Sequence, residues 1–547
     1  MASAPTGLLL ITQMRTILTN CVEVLIKSVS PQVESKLYVA FHRNLATKVG
    51  KNNGMAFDFI ADVYRAASVI CQPTLDVRVL LENLKDDLMA SKPANKSLFH
   101  RIYREVDCIF VDNSEETNGC VSEILDDIRT AGIASTPRIV EIKIPECPVK
   151  NMRPTFVNEE GCESSGAVCK YSGVVLGGTF DRIHNGHKIL FSTAALLAKD
   201  LVTCGVTDGP MLQRKVLHEL IAPVEERIQN VSKFLQDVDS TLKQKIVPIT
   251  DPFGPSIVDT DLQCIVASRE TLRGAMKVND ERVKRGLPKL DALICDLVND
   301  EIADMCAEDE KKVSSSKMRQ RLLGEVLRAP EPNKRIESHP YVIGLTGGVA
   351  SGKTHMAKYL ESLGAYLIDC DQLGHAAYTP GTQTYHKVIE TFGKETVDQS
   401  NGGVINRKVL GEKVFADPNE LRKLNEIVWP EIIRLAKESI KKADNEGYKV
   451  VVLDAAILFE AGWDKDVHEV WLAIIPPDEA VKRMQSRNKL TEEQAKRRLQ
   501  AQISNKERVS RSNVVFCSLW DYPVTRSQVK KAWDNLMSRL RDGNSKM

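Results

Sequence analysis

No stretch of this sequence is apolar for long enough to cross a membrane; the run Gly7 to Thr12 is far shorter than the roughly 20 residues a spanning helix needs. The thirteen cysteines, scattered from Cys21 to Cys517, include no CxxC pair and no zinc-finger spacing. An odd, dispersed set in a long chain reads as buried thiols in a reducing compartment, not as a disulfide framework. Excess charge of one sign is also lacking. A formal net charge of +1 gives no whole-chain electrostatic reason to bind nucleic acid, so any ligand must be argued from local sites. No acidic residue precedes Glu23. With Ser3, Thr6, Thr12, Arg15, Thr16, Thr19 and Lys27, the opening segment has the composition of a mitochondrial presequence and equally of an ordinary amphipathic N-terminal helix.

What is present is the composition of a soluble globular protein, 43% hydrophobic and 27% charged over 547 residues, too long for one ordinary core. Residues 1–165 mix strand-like runs (Lys36 to His42, Val77 to Leu81, Cys108 to Val111) with a helix near Phe57 to Ile70, and hold no catalytic motif. The polar stretch Asn158 to Gly166 reads as a linker. Residues 166–330 alternate strands, beginning at Ser172 to Asp181, with helices such as Pro223 to Leu235. That alternation predicts a doubly wound parallel α/β sheet, with ligands at the strand C-terminal ends. A proline-bearing linker, 331–340, leads to a second α/β domain, 341–547, whose strands fall at Tyr341 to Leu345, Tyr366 to Ile368, Val450 to Leu453 and Val470 to Ile474.

The strongest local signal is Gly347, Gly348, Val349, Ala350, Ser351, Gly352, Lys353, Thr354, which fits G-x-x-x-x-G-K-[ST] between a strand and a helix. Glycines let backbone N–H groups wrap phosphates, and the helix that follows turns its positive end toward the same anions. Lys353 is placed to neutralise the β- and γ-phosphates of ATP and Thr354 to ligate Mg²⁺. The next strand ends Ile368-Asp369-Cys370-Asp371, where a carboxylate can take a proton from an attacking hydroxyl or simply cap a helix. A basic helix with Lys482, Arg483 and Arg487 suits a lid over the phosphates.

These residues, with Ile405 to Leu410, Ile457-Leu-Phe-Glu460 and the pattern Arg483 to Gln502, resemble the dephospho-coenzyme A kinase family over about residues 341 to 540. The resemblance implies Asp371 as base toward the ribose 3′-hydroxyl and Arg483 as lid arginine, with Arg487 near the ATP. Trp429-Pro430 departs from the His-Pro usual in bacterial members, on the substrate side.

A second element, Gly177-Gly-Thr179-Phe180-Asp-Arg-Ile-His184-Asn-Gly-His187, sets two imidazoles at i and i+3 at a helix start, where they can donate to a nucleotide phosphate. Downstream, Ser314, Ser315, Ser316, Lys317 and Arg319 open another helix and offer a triphosphate cradle or a plain serine cap. Together these elements resemble the nucleotidylyltransferase superfamily, and over about residues 172 to 327 the eukaryotic type of phosphopantetheine adenylyltransferase. That resemblance implies in-line attack of the 4′-phosphopantetheine phosphate on the ATP α-phosphate. It implies His187 as main transition-state donor, Thr179 and His184 assisting, Gly177 and Phe180 lining the ATP, and Ser316 and Arg319 on the triphosphate. It further implies Lys215 as the bridge between the phosphates, with neighbouring Arg214 as the alternative.

The order adenylyltransferase then kinase resembles the animal bifunctional family for the last two steps of coenzyme A synthesis, whose intermediate, dephospho-CoA, is shared. Mg²⁺ as cofactor, a mitochondrial or cytoplasmic location and peripheral mitochondrial membrane association are expectations from that resemblance. Another phosphate acceptor, or a scaffold with a decayed site, are the alternatives.

Overall fold

The computed structural model describes residues 3–18, 21–42, 45–46, 48–49, 53–72, 74–85, 97–113, 118–130, 136–144, 156–157, 170–295, 315–399 and 402–544. The Asn158 to Gly166 linker and Ser314 lie outside them. The chain forms two compact units, Met1–Met318 and Arg319–Met547.

The first unit holds two sheets. In the N-terminal one, β1 (Ala4–Ile11), β2 (Val33–Phe41), β3 (Asp76–Val79), β4 (Cys108–Asn113) and β5 (Arg138–Lys143) run parallel in the order β3-β2-β1-β4-β5. The region expected to be mixed is therefore itself a doubly wound parallel sheet. Its opening segment supplies the central strand, Ala4–Ile11, and then two helices, Met14–Leu18 and Cys21–Val29, the second of which buries Val22, Leu25, Ile26 and Val29 and so is amphipathic. Leu8 and Leu10 face one core and Leu9 and Ile11 the other, so a strand buried on both faces reads as a continuous apolar run that period-2 patterning does not flag.

The second sheet comprises β6 (Phe156–Val157), β7 (Tyr171–Gly178), β8 (Ala198–Thr207), β9 (Lys243–Ile249), β10 (Cys264–Ser268) and β11 (Asp291–Cys295), in the order β6-β11-β10-β7-β8-β9. Only β6 is antiparallel to its neighbour. Val174 and Leu176 of β7 join the same core as Leu9 and Ile11 of β1, through helices Asn53–Ile70 and Asn185–Leu197. Residue 165 accordingly does not separate two bodies. The regions on either side share one hydrophobic interior.

In the second unit, β12 (Tyr341–Gly347), β13 (Tyr366–Asp369), β16 (Val450–Asp454), β17 (Glu469–Ile474) and β18 (Val514–Cys517) form a parallel sheet of order β13-β16-β12-β17-β18, beside a small β14 (Val397–Asp398) and β15 (Val404–Ile405) pair. Ile343, Leu345 and Val452 pack one face; Val342, Val451 and Leu453 pack the other. The expected linker and the residues just before it are stitched to this unit. Arg328 donates to the Ser512 carbonyl (3.1 Å), and Asn333 donates to the Lys465 and Val467 carbonyls (2.9 and 3.0 Å).

Candidate functional sites

At the C-terminal end of β7 the chain turns sharply, with Phe180 and Arg182 in the left-handed region (φ 48° and 54°), and enters helix Asn185–Leu197 at His184. The two imidazoles stack, centroids 3.8 Å apart, and Phe180 meets His187 edge-on at 5.3 Å. Burial, and then the Lys188 charge, push His184 down to about 4; burial and His184 hold His187 well below its ordinary value. Both rings are neutral near pH 7, and both Nδ1 atoms are buried without a hydrogen-bond partner. Thr179 accepts from the Thr207 hydroxyl at 3.1 Å, joining the glycine turn to the end of β8. Lys215 is exposed in the loop after β8. Gly177 pairs in register with Gly205, so the turn starts from sheet backbone at both strands.

Sequence patterns gave no role to Arg227. Its side chain, 1% exposed, donates to the carbonyls of Thr179, Thr207 and Ala222, each at 2.8 Å, and so clasps the strand ends that form the turn. An arginine inside an otherwise amphipathic helix, Val224–Val238, was the available signal. Helix Ser315–Arg321 carries Ser315, the exposed Ser316 and the buried Arg319, and the divide between the two units falls inside it, after Met318.

In the second unit the loop Gly347 to Thr354 joins β12 to helix Lys353–Ser362, with Gly352 at φ +81°. A side chain there would be strained by backbone sterics alone. Thr354 is exposed. Lys353 is ion-paired with Asp454 at the end of β16, which lies beside β12 with Leu345 opposite Asp454. Burial raises the Asp454 carboxyl against the pull of Lys353, and Asp369 and Asp371 add to the rise. In the sequence the signal for Asp454 is an apolar strand, Val450–Asp454, ending in aspartate.

Asp369 and Asp371 have different surroundings. Asp369 caps helix Cys370–Ala376, accepting from the Asp371 and Gln372 amides at 2.9 and 3.1 Å. Asp371 is exposed, with its side chain not used as the cap.

Arg483, the expected lid arginine, turns toward the P-loop. Its guanidinium donates to the Ala350 carbonyl (3.3 Å) and to the Ser518 hydroxyl and carbonyl (2.9 and 2.6 Å), bracing a P-loop residue held at φ 61°. Arg487 is exposed in the last turn of the same helix, Pro477–Asn488. That helix and Glu492–Gln500 pack through Val481, Met484 and Ala495 onto Val349 and Ala350, so the helical pair rides on the loop itself. Two further side chains reach the loop. Gln502 accepts from the Val349 amide at 3.1 Å, and Arg508 approaches Gly348 so closely that a β-carbon there would stand 2.8 Å from its guanidinium.

No group of three or more His, Cys, Asp or Glu among the described residues is arranged to hold a metal ion on its own, and no helix among them is long and apolar enough to cross a membrane. Thr354 and the Asp454 carboxylate at the end of β16 do fit a cation brought in with a nucleotide.

Comparison with known proteins gives two family matches. A family model described as Cytidylyltransferase-like matches residues 175–321, and one described as Dephospho-CoA kinase matches residues 341–518. The dephospho-CoA kinase of Carboxydothermus hydrogenoformans is 37% identical over 188 residues, 34% of this chain and 90% of that protein. That of Dehalococcoides mccartyi is 38% identical over 176 residues, 32% of this chain and 87% of its own. Among solved structures, dephospho-CoA kinase from Campylobacter jejuni is 24% identical, covers 37% of this chain and 98% of its own, and has a TM-score of 0.30. Through its second unit the chain belongs to the dephospho-CoA kinase family, and it carries a cytidylyltransferase-like domain ahead of it.

Proposed function

We propose that the chain performs the last two steps of coenzyme A synthesis at two separate sites. In the first, a phosphate oxygen of 4′-phosphopantetheine attacks the α-phosphorus of ATP; the bond to the pyrophosphate leaving group breaks, giving dephospho-CoA and pyrophosphate. In the second, the ribose 3′-hydroxyl takes the γ-phosphoryl group of another ATP and yields its proton to Asp371, giving CoA and ADP. The observation that carries the proposal is the pairing on one chain of the stacked His184/His187 turn with the Lys353–Asp454 P-loop beside an uncapped Asp371.

At the first site charge builds on the α-phosphate oxygens, so fixed donors that need no reorganisation should dominate. His187 is the donor best held for this, with His184 and Thr179 beside it. Ser314, Ser315, Ser316 and Arg319 as triphosphate ligands, and Lys215 as the phosphate bridge, rest on resemblance. At the second site Mg²⁺, bound with ATP through Thr354, would offset phosphate charge. Arg483 acts by holding Ala350 in place, and Arg487 contacts the nucleotide.

Full-length protein given 4′-phosphopantetheine, ATP and Mg²⁺ is expected to release pyrophosphate and form CoA. His187→Ala should stop the first step while supplied dephospho-CoA is still phosphorylated; Lys353→Ala should leave dephospho-CoA accumulating. One substitution stopping both reactions in folded protein would refute the two-site assignment. Residence in mitochondria or cytoplasm, with peripheral mitochondrial attachment, is proposed from the family resemblance, and the composition of the first 27 residues is compatible with it; imaging of the full chain tests it.

A further inference from the structure

The helix that bears His187 is held by groups outside its own sheet. Lys188, the next residue, is buried, and its Nζ donates to Asp76 Oδ1 (2.5 Å) and to the Val77 carbonyl (2.9 Å), both on β3 of the N-terminal sheet. An ammonium in the first turn of a helix faces the positive end of the dipole and, once buried, loses its water. Burial accordingly depresses the Lys188 amine while Asp76 supports its charged form. The carboxylate is what makes this position tenable for a lysine.

Asp76 is in turn fixed by Arg78 (2.8 Å), which reaches Asp237 (2.6 Å) on helix Val224–Val238. That is the helix whose Arg227 clasps Thr179. Both helices that build the first site are therefore tied to one short strand, β3. Three more contacts follow the His187 helix along its length. Asn185 donates to the Ser68 hydroxyl (3.0 Å), and Tyr64 and Ser192 share a hydrogen bond (3.3 Å). At the far end the Lys85 ammonium, buried, donates to the Ala195 and Ala198 carbonyls (2.5 and 2.9 Å) and pairs with Asp239 (2.6 Å). A cation on the last carbonyls of a helix is favoured by its dipole.

We propose that Asp76 is a positioning residue for adenylyl transfer: acting through Lys188, it sets where His187 stands relative to Thr179, which makes the N-terminal sheet a working part of the first site. The inference rests on the reading of His187 as transition-state donor. A misplacement of about 1 Å at such a donor can cost on the order of 10²-fold in rate.

The test uses the full chain. Pyrophosphate release from ATP and 4′-phosphopantetheine gives kcat and KM for the first step, and phosphorylation of supplied dephospho-CoA reports the second unit in the same sample. Asp76→Asn keeps the shape and removes the charge; Lys188→Arg keeps the charge and lengthens the arm. Both should lower first-step kcat by about 10- to 100-fold with KM for either substrate changed less than about threefold, while the second step stays at the wild-type rate. A lowered melting temperature with wild-type kcat per folded molecule would mean a structural contact only, and overturns the inference. Should Asp76→Asn fail to fold, Lys188→Arg decides alone by the same criterion. Wild-type protein that releases no pyrophosphate from these substrates would overturn the two-step proposal itself, and this inference with it.

Discussion

Arg508 lies against Glu460, guanidinium to carboxylate at 3.2 Å, with only 2% of the arginine exposed and the P-loop glycine Gly348 directly beside it. Its Nε is buried without a hydrogen-bond partner. A fixed cation at the loop that cradles phosphates is suited to offset charge on the transferring group. Arg508→Ala should slow phosphorylation of dephospho-CoA by about 10²-fold, and Glu460→Gln by less, since the arginine remains but is held less firmly. Pyrophosphate release in the first step is expected to stay unchanged in both. Steady-state assays of each step on the same preparation check this.

The two aspartates of the Asp369-Cys370-Asp371 turn make opposite predictions. Asp369 caps a helix, a task asparagine performs about as well, so Asp369→Asn should leave second-step kcat within a few-fold and Asp369→Ala should cost about 1 kcal/mol of stability. Asp371→Asn removes the proposed base and should lower kcat by about 10² to 10⁴-fold with little change in KM for ATP. Equal losses in the two Asn variants would remove the basis for separating their roles.

The neutral imidazoles give a pH signature. His184, lowered to about 4, and His187, held well below its ordinary value, bind protons more weakly folded than unfolded. The unfolded chain therefore takes up more protons as pH falls, so this contribution is fully present above about 6.5 and is lost as pH drops from there toward 4. Denaturant midpoints of the first unit should fall between pH 7 and 5. The decline should be shallower in a His184→Gln variant. The first-step rate should show no inflection near 6.5 from either histidine.

Arg227 satisfies three backbone carbonyls at the rim of the first site. Arg227→Met leaves them unpaired in a buried place, at a cost of about 3 kcal/mol or more, and frees the Thr179 turn. Thermal unfolding of the first unit should move down by several degrees and adenylyl transfer should fall, while the second unit keeps its activity.

Removing residues 1–11 deletes the strand that sits between β2 and β4. The N-terminal sheet cannot close over that gap without losing a core element buried on both faces. Such a truncation should lose the first step and keep the second. The same physics predicts that any targeting information in this segment works without its being cut away; mass spectrometry of the N-terminus of protein recovered from cells checks it.

The phosphate chemistry was legible in the residues alone, because backbone amides, glycines, a lysine and a hydroxyl can wrap phosphates in few arrangements, and those arrangements leave fixed spacings. Gly347 to Thr354 and His184 to His187 each carry their own geometry within a few residues. The parallel α/β character was legible too, since strands covered on both faces must be apolar and must alternate with helices. Other features needed the third dimension. Nothing along the chain joins Lys188 to Asp76, Arg227 to Thr179 and Thr207, or Arg508 to Gly348, since each pair meets only when distant segments are packed together. Which of Asp369 and Asp371 caps the helix start also shows only in the fold. The N-terminal sheet had no motif to announce it, because its work on the first site is done by burial and ion pairing across a shared core. Sequence determined which groups handle phosphate; tertiary packing decided which other groups hold them in place.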